Sequence, residues 1–249
     1  RPIILASASP RRQELLSLYG LPFEVAPSLA DETAEGNGLK RVKALARLKC
    51  EEVLSRYPGR MVLGADTLVC VDGEIMGKPR DGEDAARMLS LLSGRAHEVH
   101  TGLCLHCPDG RMLLEAETTR VHFLPLTREM IRRYVETGEP MDKAGAYAIQ
   151  GRAGVFVSRI EGSPSNVIGL PLGLLTRFFQ QAGVEVPIWQ AKLLTRLEPT
   201  LVRKIHVGRF RFTRGMTPYN VLETLSGPAL VDKQLRIPEG AALWTVEDI

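Results

Sequence analysis

The sequence predicts an α/β protein followed by a small α+β appendage. Apolar runs typical of buried strands alternate with helical periodicity through residues 1–186, which is the pattern of a sheet covered by helices. With 249 residues, 44% of them hydrophobic and 24% charged, the composition is that of an ordinary folded protein. From residue 187 the chain becomes locally basic, with two short strand candidates around a short helix. We expect one domain at residues 1–186 and a separate small module at residues 187–249.

The first elements of the chain are predicted as a strand, a helix, an extended piece and a second helix. Ser9 is the expected N-cap of the first helix, and Pro10 suits its first position because a missing N–H costs nothing there. The apolar residues of the second helix recur on one face. These four elements cover residues 3–6, 10–19, 22–27 and 39–56.

The next segment, "MVLGADTLVCVDG", predicts a pair of strands whose apolar run is interrupted at residues 64–67. After it the pattern predicts a helix with Asp81 as its N-cap, two long strands, a helix, an irregular segment, a strand and a last helix. These elements cover residues 81–92, 97–107, 115–124, 127–137, 140–153, 154–160 and 169–182.

Charge, hydropathy and cysteine content exclude several classes of protein. A formal net charge of +3 is too small to indicate a nucleic-acid-binding protein, so a nucleic-acid partner is not expected. No apolar run approaches the roughly 18 residues of a membrane span, and no signal peptide is apparent, which favours the cytoplasm. Cys104 and Cys107 form a C-x-x-C, but no second one exists, so we expect ordinary thiols rather than zinc ligands.

The stretch "ILASASPRRQELL" places two arginines in the first turn of the first predicted helix. Arg11 and Arg12 there face the positive end of the helix dipole, which is unfavourable for cations. A bound anion reverses that argument, because serine hydroxyls, backbone N–H groups and guanidinium groups all bind phosphate. Ser7, Ser9, Arg11 and Arg12 are therefore candidate phosphate ligands. The alternative is a capped surface helix with solvated arginines.

Other polar residues interrupt apolar or structured segments further along the chain. Asp66 in "GADT" lies between buried-strand residues, where an unpaired carboxylate is costly, although a turn aspartate is the alternative. Lys78 in "GKP" has a rigid setting that can aim a cation inward, with a solvated loop lysine as the alternative. Glu32 in "ADET", with a plain acidic loop as the alternative, and Gln150 in "AIQG" complete the set. Cations and carboxylates without a nucleophile and base pair suit a metal-bound polyphosphate.

Five motifs of the chain resemble, in order and spacing, those of the Maf family of nucleotide pyrophosphatases. They are "LASASPRRQELL", "GADTLV", "GEIMGKP", "MLSLLSGRAHEVHTG" and "GEPMDKAGAYAIQG", spread over residues 2–184. The resemblance implies a mixed, elongated and twisted sheet with flanking helices, a central cleft and a homodimer. It also implies hydrolysis of nucleoside triphosphates to the monophosphate and pyrophosphate, with Mg²⁺ or Mn²⁺ as the cofactor.

The same resemblance assigns roles to individual residues. Asp66 matches the general base that activates the attacking water, and Glu32 matches an acidic residue of the metal site, which Asp66 shares. Lys49 and Lys78 match lysines near the phosphates, and Gln150 matches a polar residue of the catalytic cleft. The turn from Ser7 through Ser9 to Arg11 and Arg12 matches the phosphate-binding loop.

"SPRR" with "GADT" resembles the branch of the family that acts on dTTP and UTP, and Thr67 is then expected to help read the pyrimidine. Preference for 7-methyl-GTP is one alternative. A non-catalytic regulator that binds nucleotides or nucleic acid is another, but such a protein would not need Asp66, Lys78 and Glu32 together. The C-terminal module resembles the LysM-like part of endolytic murein transglycosylases and is expected to be non-catalytic.

Overall fold

A computed structural model describes residues 1–31 and 33–187 of the chain. Glu32 and residues 188–249 lie outside the described residues, and with them almost all of the predicted C-terminal module. The described part has seven strands in one sheet and six α-helices. The strands are β1 (Ile3–Leu5), β2 (Phe23–Val25), β3 (Val62–Val71), β4 (Glu74–Met76), β5 (Ala96–His106), β6 (Met112–Phe123) and β7 (Val157–Glu161). The helices are α1 (Pro10–Ser17), α2 (Gly38–Arg56), α3 (Gly82–Leu92), α4 (Arg128–Glu136), α5 (Pro164–Ile168) and α6 (Leu172–Gln181).

The sheet is mixed, as predicted. Strands β2, β1 and β3 run parallel, whereas β3, β5, β6 and β7 are joined by antiparallel pairing. Short 3-10 turns at Glu139–Asp142, Ala144–Ala146 and Arg152–Phe156 fill the segment between α4 and β7. The expected α/β architecture of a sheet with flanking helices is therefore confirmed.

One edge of β3 has a gap in its pairing. Strand β5 pairs with one edge of β3 from Val62 to Cys70 without interruption. On the opposite edge β1 pairs only at Val62 and Leu63, and β4 pairs only from Val69 onward. No described strand pairs with residues 64–68 on that edge. Because β1 and β4 both end at this gap, the turns that follow them both begin there.

The two faces of β3 carry different layers. Val62 packs with α2 residues in one apolar cluster. On the opposite face, Leu63 and Ala65 join a cluster with α1 and α6, and Val69 and Val71 join a second cluster with α3 and α4. Because side chains alternate along a strand, Asp66 faces α2, and Thr67 lies on the opposite face between the two apolar clusters.

Helix α2 packs closely on the sheet at two glycines. A Cβ atom on Gly64 would lie 2.3 Å from the carbonyl oxygen of Ala46, and one on Gly102 would lie 2.3 Å from that of Val42. Gly102 is the cross-strand partner of Asp66, and Gly64 precedes Asp66 on the same face. The absence of both side chains lets the helix approach the strands and makes room beside the Asp66 carboxylate.

Two sequence predictions were wrong in detail. Residues 64–67 do not interrupt the strand, because β3 is continuous and Gly64 serves the contact with α2. The alternative in which Asp66 is a turn residue therefore fails. The helix predicted at residues 169–182 is α6 and begins only at Leu172, because Gly169 ends the unpredicted helix α5 with φ of 120° and Pro171 is the N-cap of α6. Ser9 is the N-cap of α1, but its side chain makes no capping hydrogen bond.

Replacing Gly64 with alanine is expected to destabilise the protein, because the new methyl group meets main-chain atoms that cannot turn aside. The free energy of unfolding should fall by about 1 to 3 kcal/mol, the usual cost of overpacking. Urea unfolding followed by circular dichroism measures this change.

The matched control is Gly173→Ala in α6, where a Cβ atom would meet nothing within 4 Å. That variant should gain about 0.5 to 1 kcal/mol because alanine favours the helix. Equal stability of Gly64→Ala and the original chain would show that α2 does not depend on close approach at Gly64.

Candidate active site

Lys49 and Asp66 form a buried ion pair between α2 and β3. The Lys49 Nζ atom donates to Asp66 Oδ1 at 2.7 Å, and the two residues are 8% and 6% exposed. Lys49 lies on the face of α2 that packs on Gly64 and Gly102, so it projects toward the sheet. A buried pair of this kind keeps a carboxylate in a fixed position, and removal of either partner leaves an uncompensated charge. The two predicted catalytic residues are thus in direct contact.

The turn after β1 is organised by Ser7 and Arg12. Ser7 Oγ accepts a hydrogen bond from the Ser9 main-chain N–H at 3.2 Å and one from Arg12 Nη1 at 3.1 Å. Arg12 Nε donates to the Gly169 carbonyl at 2.8 Å, and Arg12 Nη2 donates to Thr67 Oγ1 at 3.0 Å. The structure therefore brings Ser7, Arg12 and Thr67 together on the α1 side of β3.

These contacts explain Arg12 differently from the sequence argument. Arg12 does lie in the first turn of α1, but it contacts the carbonyl at the C-terminal end of α5, where positive charge is favourable. These contacts stabilise Arg12 in the first turn of α1 without a bound anion. Arg11 has fewer such contacts, because its described ion pair is one with Asp142 at 4.0 Å.

The turn that carries Lys78 meets the "MDKAG" turn. Gly145 N–H donates to the Gly77 carbonyl at 3.0 Å, next to Lys78, which is exposed. Gly145 has φ of 70°, and a Cβ atom there would lie 3.0 Å from the Val69 side chain. Asp142 and Lys143 are ion-paired on the same turn. The Arg11 contact with Asp142 then joins this turn to the one after β1.

Asp84 holds the main chain just after Lys78 in place through hydrogen bonds with Arg80. The Arg80 main-chain N–H donates to Asp84 Oδ2 at 3.2 Å, and the side chains of Arg80 and Arg87 also bind this carboxylate. These hydrogen bonds lower the pKa of Asp84 to about 2, so the carboxylate is ionised at neutral pH. The sequence showed Asp84 only as part of the first turn of a helix.

Gln150 is exposed, and within residues 1–31 and 33–187 no hydrogen bond or ion pair joins it to the other candidate residues. Its loop is held by Glu139, which accepts hydrogen bonds from the Tyr134 hydroxyl at 2.8 Å and the Arg152 N–H at 3.0 Å. Burial and the bond to Glu139 raise the pKa of the Tyr134 hydroxyl. Sequence reasoning gave no role to Glu139 or Tyr134, although Glu139 lies in the quoted motif "GEPMDKAGAYAIQG".

The described residues offer few protein ligands for a metal ion. Within residues 1–31 and 33–187, no group of three or more histidine, cysteine, aspartate or glutamate residues could hold a metal; Glu32 lies outside these residues. Asp66 remains as a buried carboxylate at the gap in β3. Mg²⁺ is usually held by one or two carboxylates together with substrate phosphates and water, and Asp66 with Glu32 would fit that pattern. The four cysteines are buried and form no disulfide.

A model of the Maf-like protein family matches residues 2–182. The chain belongs to the Maf family. It is 51% identical to a dTTP/UTP pyrophosphatase of Symbiobacterium thermophilum over 74% of this chain and 95% of that protein. It is 49% identical to a dTTP/UTP pyrophosphatase of Thermococcus gammatolerans over 74% of this chain and 98% of that protein.

Solved structures also resemble this Maf protein. The Ham1 protein of Staphylococcus aureus matches with a TM-score of 0.45 and 14% identity, over 73% of this chain and 99% of that one. Among the described residues, no helix is both long and apolar enough to cross a membrane.

A surface groove of about 510 Å³ lies over the start of α2 and is lined by Leu39, Lys40, Lys43, Glu115, Ala116 and Thr118. None of the candidate site residues that the structure describes lines this groove.

Arg12→Met is expected to lower the free energy of unfolding by about 1.5 to 4.5 kcal/mol, because three hydrogen bonds of roughly 0.5 to 1.5 kcal/mol each are lost. Arg11→Met is the matched control, since its long contact with an exposed carboxylate is worth at most about 1 kcal/mol. Urea unfolding of both variants measures the difference. Equal stabilities would mean that the contacts of Arg12 with Gly169, Ser7 and Thr67 do not support the fold.

Proposed function

We propose that the protein is a nucleoside triphosphate pyrophosphatase that hydrolyses dTTP and UTP to the monophosphate and pyrophosphate. The observation that carries the proposal is the buried Lys49 and Asp66 pair at the gap in β3, where the turns after β1 and β4 both begin. This arrangement combines a fixed carboxylate with cationic turns, as hydrolysis of a polyphosphate requires. The dTTP/UTP pyrophosphatases that resemble the chain support the choice of substrate.

In the proposed reaction, Asp66 takes a proton from the water that attacks the α-phosphorus. A new bond forms between the water oxygen and the α-phosphorus while the bond from the α-phosphorus to the bridging oxygen breaks, and pyrophosphate leaves. Lys49 holds one oxygen of the Asp66 carboxylate, so the carboxylate keeps one orientation toward the water. Arg11 and Arg12 would bind the phosphates of the triphosphate before and during the reaction, and Lys78 would stabilise the charge that develops on the leaving pyrophosphate.

We further propose a divalent cofactor, Mg²⁺ or Mn²⁺, held by Asp66 and Glu32 together with the phosphates of the substrate. When bound, such an ion neutralises phosphate charge and orients the triphosphate. Ser7 and Ser9 are proposed phosphate ligands, Gln150 a polar residue of the cleft, and Thr67 a residue near the pyrimidine. A homodimer stays a prediction from the resemblance, and a cytoplasmic location stays a prediction from the sequence.

A non-catalytic regulator is the second candidate from another class. It would need the arginine turn but not a buried carboxylate with its own lysine, so the Lys49 and Asp66 contact favours an enzyme. Preference for 7-methyl-GTP is the second candidate within the family. A panel of dTTP, UTP and 7-methyl-GTP in an assay of pyrophosphate release separates all three.

Asp66→Asn is expected to lower kcat for dTTP by on the order of 10²-fold or more, because the variant cannot accept the proton from water. Pyrophosphate release with Mg²⁺ or Mn²⁺ measures this loss. Asp109→Asn is the control, since that exposed carboxylate is paired with Arg111 and has no contact with the site residues. Near-normal turnover by Asp66→Asn would remove Asp66 from its proposed role, and no release by the unaltered chain would favour a binding protein.

A chain that ends at residue 188 is expected to stay soluble and to hydrolyse dTTP within a few-fold of the full-length rate. All the proposed catalytic and binding residues precede residue 187, and Val186 is already packed in the cluster with α1 and α6. The comparison needs the specific activity and the melting temperature of both chains. A shortened chain that folds well but loses activity would show that residues 189–249 complete the site.

A further inference from the structure

A row of hydroxyl groups connects Arg12 to the interior of the protein. Arg12 Nη2 lies 3.0 Å from Thr67 Oγ1, Thr67 Oγ1 lies 2.9 Å from Thr101 Oγ1, and Thr101 Oγ1 lies 2.9 Å from the Asn166 carbonyl oxygen. Thr67 and Thr101 are cross-strand partners on β3 and β5. Thr101 and Asn166 are fully buried. We call these four groups the Arg12 chain.

The direction of every hydrogen bond in the Arg12 chain is fixed by its two ends. A guanidinium group can only donate and a carbonyl oxygen can only accept. Arg12 therefore donates to Thr67, Thr67 uses its single hydroxyl proton toward Thr101, and Thr101 uses its proton toward the Asn166 carbonyl. Each hydroxyl has one proton, so the loss of any member disturbs the order of the others.

The two threonines of the Arg12 chain lie at positions where the core would accept apolar residues. Thr67 lies between Ala65 and Val69, which belong to separate apolar clusters, and Thr101 lies between Val99 and Leu103 in the same way. An apolar residue at either position would extend the core, whereas a buried hydroxyl is costly unless it is hydrogen-bonded. The Arg12 chain thus places polar groups at two positions where apolar side chains could have packed. Its outer end is the Arg12 guanidinium group.

We propose that Thr101 is a positioning residue that, through Thr67, holds the Arg12 guanidinium in the orientation that binds the phosphates of the substrate. The Asn166 amide extends this support, because its Nδ2 donates to the Val99 carbonyl and to Thr119 Oγ1, each at 2.9 Å. The proposal rests on the proposed function for the identity of the phosphate ligand, but Thr101 and Asn166 have no role in that function.

The test measures phosphate binding and turnover separately. Calorimetry with inorganic tripolyphosphate and Mg²⁺ on the full chain gives a Kd that does not depend on hydrolysis. Thr101→Val keeps the shape of the side chain but removes its donor and acceptor. This variant should raise the Kd for tripolyphosphate and the KM for dTTP about 5-fold, the effect of one weakened hydrogen bond, with kcat within 2-fold of the original.

Thr101→Ser restores the hydroxyl and should return both constants to within about 2-fold of the original values. Thr118→Val is the matched control, because Thr118 also bonds a buried side chain, His100 Nδ1 at 2.8 Å, but lies outside the Arg12 chain. It should leave both constants unchanged. Thr101→Ala is the substitute if Thr101→Val does not fold.

Three results would overturn the proposal. The first is an unchanged Kd and KM in a folded Thr101→Val or Thr101→Ala protein. The second is an effect of Thr118→Val equal to that of Thr101→Val. The third is failure of both Thr101→Val and Thr101→Ala to fold while Thr101→Ser folds. The last result would assign Thr101 a structural role alone. If the unaltered chain binds tripolyphosphate and Thr101→Val weakens that binding, but no triphosphate is hydrolysed, the proposed function fails and the positioning role stands.

Discussion

The gap in the pairing of β3 is the constraint on which the rest of the site depends. Strand β1 is too short to cover β3 beyond Leu63, and β4 begins to pair only at Val69. The Ala6 N–H donates to the Leu63 carbonyl, so alternation turns the main-chain groups of Ala65 and Thr67 toward the gap. A ligand at this place therefore meets main-chain polar groups as well as the turns that carry the arginines and Lys78.

The residues at the gap are supported from both faces of the sheet. On one face, Gly64 and Gly102 let α2 approach, and this close approach brings Lys49 to Asp66. On the other face, Arg12 is held by Ser7, by Thr67 and by the carbonyl that ends α5. Consecutive residues of one strand, Asp66 and Thr67, thus connect a carboxylate on one face with a cation on the other. Functional groups that are held on strands in this way keep a more precise geometry than groups on loops.

The sequence predicted most elements of the fold because their periodicity is strong and their ends carry clear signals. Asp81 does cap α3, and the long antiparallel strands β5 and β6 alternate or run apolar as expected. The prediction failed at residues 64–67, because a glycine and an aspartate inside a strand carry the same local signal as a turn. Only the approach of α2, a contact between residues far apart in the chain, distinguishes the two.

Of the candidate site, the family resemblance identified Lys49, Asp66, Arg12 and Thr67, and the structure shows two direct contacts among them. The supporting residues could not be predicted in the same way. Thr101 is one polar residue in a strand, and Glu139 one of many surface-type carboxylates, so neither breaks a local pattern. Their roles depend on partners such as Asn166 and Arg152 that only the folded chain brings close.

A crystal structure of the protein with α,β-imido-dUTP and Mg²⁺ tests most directly whether the gap in β3 is the substrate site. The account predicts that the triphosphate lies at the gap, between the turn after β1 and the turn after β4, with Arg11, Arg12 and Lys78 at its oxygens and Asp66 near the α-phosphorus. Binding of the nucleotide in the groove over α2 beside Lys40 and Lys43, with the gap empty, would contradict it.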